Sequence, residues 1–224
     1  MTDTVTLADI EAARDRFDDP AIVRRTPIET NRSLSEMSGA DVNLKMEHLQ
    51  RTGSFKTRGA YNKLKGEAER GSDKHVIAAS AGNHAQGVAL AATTVGLEST
   101  IVMPENAPQA KVDATRSYGA TVELHGATFG EAMSYAQAKA EEPGMLFVHA
   151  YDDPDIVAGQ GTLGLEIYEQ VPDVDTVIVP IGGGGLIGGI STALDGLDDE
   201  IRVVGVQADL AATVPDSLQK GIPV

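Results

Sequence analysis

The sequence contains no cysteine, so disulfide bonds and thiolate metal sites are excluded. It also has no apolar run that approaches the roughly 18 residues required for a membrane-spanning helix. The N-terminal residues Met1 to Thr4 lack the basic region and the apolar stretch of a signal peptide. These absences lead us to expect a cytoplasmic protein with no membrane partner.

Positive charge is also scarce. The 224 residues include 18 lysines and arginines against 33 aspartates and glutamates, for a formal net charge of −15. Binding to nucleic-acid phosphates requires a positive surface, so we expect no nucleic-acid partner. The acidic residues are spread along the chain, which favours the surface of a halophilic protein; an ordinary acidic bacterial protein is the alternative.

Strand-like and helix-like segments alternate along the chain, which is 42% hydrophobic and able to form a core. A capping box at Thr6 to Asp9 predicts a first helix that runs to about Phe17. Further helices are predicted at residues 57–65, 83–95, 107–118, 129–140, 156–170 and 186–194. Strands are predicted at residues 42–46, 75–79, 99–103, 121–124, 145–149, 176–180 and 201–206. Repeated βα units imply an α/β fold with a parallel sheet and helices on both faces.

Lys56 follows Phe55 and has several small residues on both sides, within the segment Gly53 to Ala60. Such neighbours suit a partly buried lysine, and burial lowers the pKa of the amine. An amine of this kind can form a Schiff base with an aldehyde. A lone lysine is more often a solvated surface charge, so the interpretation needs a second feature.

The second feature is the run of glycines Gly182, Gly183, Gly184 and Gly185, which follows the apolar residues 177–181. Ordering consecutive glycines costs chain entropy, so a close approach to the backbone is the expected reason for them. A helix N-terminus with a bare backbone can bind a phosphate. A reactive lysine and a phosphate loop together point to pyridoxal phosphate, an aldehyde with a phosphate tail.

The glycines also fit a competing pattern. The spacing Gly183-x-Gly185-x-x-Gly188 is that of a dinucleotide-binding loop after a strand. That loop requires an acidic residue about 20 residues further on, where this chain has Gln207, and Asp209 comes slightly late. NAD binding is therefore the less favoured alternative.

A third segment follows the predicted strand 75–79 and opens a helix: Ser80, Ala81, Gly82, Asn83 and His84. Backbone N–H groups at a helix start can hold a carboxylate, and the amide of Asn83 can hydrogen-bond a ring hydroxyl. A simple helix cap formed by Ser80 or Asn83 is the alternative interpretation.

Four segments in chain order resemble the threonine dehydratase (threonine ammonia-lyase) and serine racemase family, which consists of fold-type II pyridoxal-phosphate enzymes. These segments are residues 54–62, 79–89, 158–167 and 179–190. The resemblance implies two open parallel-sheet α/β domains with the cofactor between them. The larger domain would comprise residues 1–70 and 148–224, and the smaller one residues 71–147.

The resemblance also implies site residues. Lys56 would be the catalytic residue and would carry the cofactor covalently. The cofactor would be bound by Phe55, Lys56, Asn83, Gly182, Gly183, Gly184, Gly185 and Leu186. The carboxylate of the substrate would be bound by Ser80, Ala81, Gly82, Asn83 and His84.

The implied reaction is the dehydration and deamination of L-threonine or L-serine to a 2-oxo acid and ammonia, with Lys56 as general base. A small hydroxyamino acid is thus the expected substrate, and threo-3-hydroxyaspartate stays open. Isoleucine biosynthesis and a catabolic role also both stay open. Because relatives are commonly dimers or tetramers, a homo-oligomer is expected.

Two positions distinguish members within the family. Similar serine racemases carry a serine where this chain has Ala81, and a methyl group cannot deliver a proton, so racemisation is disfavoured. Cation-binding members have a glutamate where Gln207 stands, so no metal site is expected. The remaining histidines are interpreted as structural or surface residues: His48, His75, His125 and His149.

The resemblance ends before the family pattern is complete. The segment beyond Val224 in such enzymes finishes the larger domain and supplies the serine that faces the pyridine nitrogen. We therefore expect an incomplete larger domain with exposed apolar surface, and low activity or none for this chain alone.

Other functions remain as alternatives. Cysteine synthases share the fold but usually have a threonine after the asparagine, where this chain has His84. Threonine synthases typically have an acidic residue where Thr57 stands. A non-catalytic remnant that binds the cofactor without turnover is the alternative from a different class.

Overall fold

The computed structural model describes residues 4–222, so the expected lack of a signal peptide falls largely on residues outside that range. The helices are α1 (Leu7–Asp15), α2 (Arg32–Ser38), α3 (Lys56–Glu69), α4 (Asn83–Val95), α5 (Gln109–Ser117), α6 (Phe129–Ala140), α7 (Pro154–Gln170), α8 (Gly185–Leu197) and α9 (Val214–Lys220). The strands are β1 (Ile28–Thr30), β2 (Asn43–Lys45), β3 (His75–Ala79), β4 (Ser99–Met103), β5 (Thr121–Leu124), β6 (Met145–Phe147), β7 (Thr176–Pro180) and β8 (Arg202–Val206). Short 3-10 turns lie at Glu47–Leu49 and Asp209–Ala211.

The strands form three sheets. The largest has the order β5-β4-β3-β6 with all neighbours parallel, and β7 pairs with β8 in a second parallel sheet. The alternation of strands and helices therefore gives the expected α/β fold. The pair β1-β2 differs, because it is antiparallel: α2 turns the chain back, and Ile28 lies opposite Lys45.

Buried aliphatic side chains hold these layers together. The largest cluster joins α3 and α4 to the four-stranded sheet, with Leu64, Val88 and Ile101 fully buried. A second cluster lies between α7, α8 and the β7-β8 pair and includes Leu163 and Leu194. Burial of each such side chain contributes up to about 1.5–3 kcal/mol to the stability of the fold. Helix α3 is therefore held against the four-stranded sheet and α8 against the β7-β8 pair.

Helix α7 lies at close range to both α3 and α8. A Cβ atom on Gly159 would lie 2.6 Å from the Cα atom of Gly59 in α3. A Cβ atom on Gly161 would lie 2.9 Å from the carbonyl oxygen of Gly189 in α8. Both crossings thus require residues without side chains, and they fix the first turns of α3 and α8 relative to each other.

One face of the β7-β8 pair is apolar and uncovered in the described part of the chain. Ile178 is 69% exposed and Val206 is 52% exposed, and Leu210, Leu218 and Ile222 beyond β8 are also exposed. Within residues 4–222, no helix has the length and apolar character needed to cross a membrane.

Candidate active site

Lys56 is the first residue of α3, and its amine is largely buried. The Nζ atom donates a hydrogen bond to the carbonyl oxygen of Ala150 at 2.7 Å and lies 5.3 Å from the centre of the Phe55 ring. Burial lowers the pKa of the Lys56 amine. Gly87 of α4 packs on the backbone of Lys56, where a Cβ atom would come within 3.2 Å of the Lys56 carbonyl. The backbone that carries the Lys56 side chain is therefore held in place, and a larger fraction of the amine is neutral than for an exposed lysine.

The glycine segment 182–185 connects β7 to α8. Gly184 is the residue before the helix, with φ of +89°, and no side chain caps the first turn. A Cβ atom on Gly183 would overlap the ring atoms Cγ and Cδ1 of Tyr151, and one on Gly185 would lie 2.8 Å from the Tyr151 carbonyl oxygen. The unpaired N–H groups of this helix start are thus available to an anion.

A pocket of about 140 Å³ lies where these two segments meet. It is lined by Phe55, Lys56, Tyr151, Pro180, Gly182, Gly183, Gly184, Gly185, Leu186 and Ile187. Residues that are more than 120 positions apart in the chain, Lys56 and the glycine segment, thus share one small cavity.

The turn Ser80 to His84 runs from the end of β3 into the first two residues of α4 and does not belong to the described lining of this pocket. The Ser80 hydroxyl accepts from the backbone N–H of Gly82 at 3.1 Å, and the side chain of Asn83 is exposed. Ala81 is half-buried against the core. Neither Ser80 nor Asn83 caps α4 through its side chain, because Gly82 is the residue before the helix.

His84 links this turn to the pocket. Its ring is buried, and Nε2 lies 3.0 Å from the carbonyl oxygen of Val148, so this nitrogen donates. The Nδ1 atom has no hydrogen-bond partner among the described residues. Burial lowers the pKa of His84 to about 4, with smaller contributions from the charges of Lys56 and His149. His84 is therefore neutral at physiological pH.

Sequence reasoning missed the segment Val148 to Tyr151, which touches each part of the site. Val148 accepts from His84, Ala150 accepts from Lys56, and Tyr151 packs under the glycines. No sequence pattern marks this segment, because its role depends on contacts with residues far away in the chain.

A buried ion network lies on the other side of the first turn of α3. Arg58 is fully buried and donates to Glu47 Oε1 and Oε2 at 2.8 Å and to Glu166 Oε1 at 2.7 Å. Lys45 completes the network with a 2.5 Å bond to Glu166. Burial opposes the charge on Arg58, but the two carboxylates outweigh it and raise the Arg58 pKa. Two cations and two carboxylates thus balance within the protein.

A larger cavity of about 240 Å³ lies between α1, α3 and the start of α7, away from Lys56. Its wall includes Arg16, whose guanidinium already bonds Glu69 and Asn62. The cavity brings together neither a nucleophile nor a bare helix start, so the smaller pocket is the candidate site. No group of three or more metal-binding side chains is found within residues 4–222.

A family model described as "Pyridoxal-phosphate dependent enzyme" matches residues 21–224. The chain belongs to this family, and its cofactor is pyridoxal 5′-phosphate. The described residues fit that group, because the pocket joins a buried amine to an uncapped helix start whose glycines leave room beside the backbone.

Three similar proteins illustrate the relationship. The chain is 49% identical over 217 residues to an L-threonine ammonia-lyase of Thermotoga maritima, covering 97% of this chain and 54% of that protein. It is 41% identical to the processed form of threonine deaminase isoform 2 from Solanum lycopersicum, with a TM-score of 0.90; the match covers 97% of this chain and 59% of that protein. It is 34% identical to maize serine racemase, with a TM-score of 0.91 and coverage of 99% and 67%. The chain thus spans about half to two thirds of the length of these proteins.

Proposed function

We propose that the chain forms the cofactor-binding part of an ammonia-lyase that converts L-threonine or L-serine to a 2-oxo acid and ammonia. The observation that carries the proposal is the pocket that joins the Lys56 amine to the glycine segment 182–185. The similarity to proteins named threonine ammonia-lyase and threonine deaminase supports the choice of reaction.

We propose the following roles for holding the cofactor. Lys56 binds it covalently through Nζ, and Phe55 lies against its ring. The N–H groups of Gly182 to Gly185, with Leu186 at the first turn of α8, bind the phosphate. Asn83, at the start of α4, contacts the ring hydroxyl.

When bound, the cofactor supplies an electron sink for the substrate Cα. Once the substrate amine has displaced Lys56 from the cofactor, the Lys56 amine would be free again. Because burial lowers its pKa, more of this amine would be neutral and able to accept the Cα proton at Nζ. The turn Ser80 to His84 binds the substrate carboxylate through its backbone N–H groups. The β-hydroxyl would leave as water with the proton that Lys56 took from Cα, and hydrolysis of the product imine by one water would give the 2-oxo acid and ammonia. Ala81 offers no proton to the opposite face, which favours this outcome over racemisation.

The test is the release of ammonia and 2-oxo acid from L-threonine, L-serine and threo-3-hydroxyaspartate by cofactor-loaded protein, with Lys56→Ala as control. Release that is lost in the Lys56→Ala variant supports the proposal. Cofactor retention at Lys56 without release of ammonia agrees with the low activity expected of this chain alone and with the non-catalytic alternative. Tight NAD binding with no retention of pyridoxal phosphate favours the dinucleotide alternative.

Several finer statements belong to the same proposal. We propose two domains, residues 71–147 and residues 1–70 with 148–224, which is supported by the sheet of β3 to β6 lying wholly within the first of them. We also propose a cytoplasmic homo-oligomer, whose mass light scattering would measure. Restored growth of an isoleucine auxotroph that expresses the gene would test a role in isoleucine biosynthesis. Measuring the stability of the folded protein in molar KCl would test the halophilic character.

A further inference from the structure

We propose that Tyr151 is a positioning residue for the pocket: its ring and carbonyl set where the glycine segment runs, while the preceding carbonyl holds the Lys56 amine. The inference rests on the proposed cofactor site and extends it to a residue outside the sequence patterns. Three observations on contacts support it.

The first observation is the contact between Tyr151 and alternate glycines. Cβ atoms on Gly183 and Gly185 would meet the ring, the backbone and the carbonyl of Tyr151. Cβ atoms on Gly182 and Gly184 would meet no atom of the described residues within 4 Å. The backbone of the segment therefore rests directly on Tyr151, and any displacement of the ring changes the direction of the N–H groups in the first turn of α8.

The second observation is the restraint on Tyr151 itself. Its ring stands edge-on to the ring of His149, with 4.5 Å between centres and an angle of 82°. The Nδ1 atom of His149 accepts from the backbone N–H groups of Tyr151, at 3.3 Å, and Asp152, at 2.8 Å. Asp153 then caps α7 by accepting from the N–H of Asp155 at 2.9 Å. The connection between β6 and α7 is thus fixed at several points, so Tyr151 is a firm support although its side chain is 41% exposed.

The third observation is the direct link to Lys56. The Ala150 carbonyl accepts from Lys56 Nζ at 2.7 Å, and Tyr151 is the next residue in the chain. The dipeptide Ala150-Tyr151 therefore contacts both Lys56 and the glycines, and it sets the distance between the two groups that would hold the ends of the cofactor. We expect Tyr151 to act on cofactor affinity through this spacing.

The experiment is a double-mutant cycle between positions 151 and 183, read out as the Kd of pyridoxal 5′-phosphate by equilibrium dialysis against the apoprotein. Tyr151→Ala is expected to weaken binding about tenfold, and Tyr151→Phe, which keeps the ring, to restore most of the loss. Gly183→Ala is expected to weaken binding at least tenfold in the wild-type background, where its methyl group meets the ring. The same change in the Tyr151→Ala background is expected to cost less than about twofold, since the contact is gone.

Phe129→Ala serves as the matched control, because it removes an aromatic residue that is 52% exposed on α6 and is not part of the described pocket lining. Urea unfolding of every variant separates lost affinity from lost stability, and Tyr151→Leu replaces Tyr151→Ala if the latter does not fold. A Kd for Tyr151→Ala within twofold of the wild-type value would overturn the inference about Tyr151 but not the proposed function. An equal loss of affinity from Gly183→Ala in both backgrounds would do the same. Wild-type protein that retains no pyridoxal phosphate would overturn the proposed function together with the inference.

Discussion

Two cations in the first turn of α3 have opposite surroundings. Arg58 is enclosed by Glu47 and Glu166, which raise its pKa against the effect of burial. Lys56, two residues earlier, has one neutral acceptor, the Ala150 carbonyl, and burial lowers its pKa. Within residues 4–222, no carboxylate forms an ion pair with Lys56.

The difference separates a structural site from a chemical one. The Arg58 network meets its own hydrogen-bonding needs and anchors α3 to α7, so it has no capacity left for a ligand. The Lys56 amine carries the cost of burial without compensation by an opposite charge. Such an uncompensated group in a pocket is typical of a functional site. The Arg58 network thus holds the first turn of α3 in place, and that turn carries the uncompensated amine of Lys56.

The largest expected effect comes from breaking the network. Arg58→Met leaves Glu47 and Glu166 with Lys45, which pairs with Glu166, as the one cation of the described network, so we expect the free energy of unfolding to fall by about 3–5 kcal/mol. Arg58→Lys keeps the charge but not the forked geometry, and an intermediate loss is expected. Urea unfolding measures both changes.

Arg14 supplies the control for this prediction. Its ion pair with Glu169 also links α7 to another helix, but the two side chains are 43% and 39% exposed. Arg14→Ala is therefore expected to cost less than about 1 kcal/mol. Equal losses for Arg14→Ala and Arg58→Met would contradict the contrast between exposed and buried pairs.

The next effect concerns pH and His84, which burial keeps neutral with a pKa of about 4. In the unfolded chain this histidine titrates near 6.5, so between about pH 6.5 and 4 the unfolded state binds a proton that the native state does not. Wild-type stability should fall as pH falls through this window, by roughly 3 kcal/mol for this group. The neighbouring charges that oppose protonation are Lys56 and His149.

His84→Asn removes the titration and is expected to lack this part of the loss. The measurement is the difference in unfolding free energy between wild type and variant at pH 7 and at pH 4.5, because titrations common to both proteins cancel. A difference that stays constant between these two pH values would show that the ring is not kept neutral by burial.

A smaller effect of the same direction, in a higher pH range, is expected for Lys56 in the apoprotein, because its amine is less buried than the His84 ring. Between its lowered pKa and the ordinary value near 10.4, the unfolded state binds a proton that the native state lacks. Wild-type stability should therefore rise with pH relative to Lys56→Met. Unfolding at pH 7 and pH 10 measures this change, and a falling difference would place an unrecognised acidic partner beside Lys56.

The sequence predicted the elements that have clear apolar patterns. Strand β3 and helix α4 have the predicted limits, because a buried strand and an alanine-rich buried helix both leave strong local signals. Strand β1 and helix α2 were missed, since the first has three residues and the second has no buried residue. Elements held only by their neighbours leave little trace in local sequence.

The site shows the same limit. Lys56 and the glycines could be predicted to lie together because each has a chemical signature of its own. Tyr151 and the bond from His84 to Val148 could not, since both depend on the packing of distant segments. The glycines were given one reason, whereas the structure shows two: close contact at Gly183 and Gly185, and a left-handed backbone at Gly184.

The central claim is that the uncompensated amine of Lys56 holds pyridoxal 5′-phosphate. Borohydride reduction of cofactor-saturated protein, followed by mass mapping of its peptides, tests this most directly. We predict a single pyridoxyl adduct on the peptide that contains Lys56, and none in Lys56→Met. Saturated wild-type protein with no adduct at Lys56, or with the adduct on another lysine, would contradict the account.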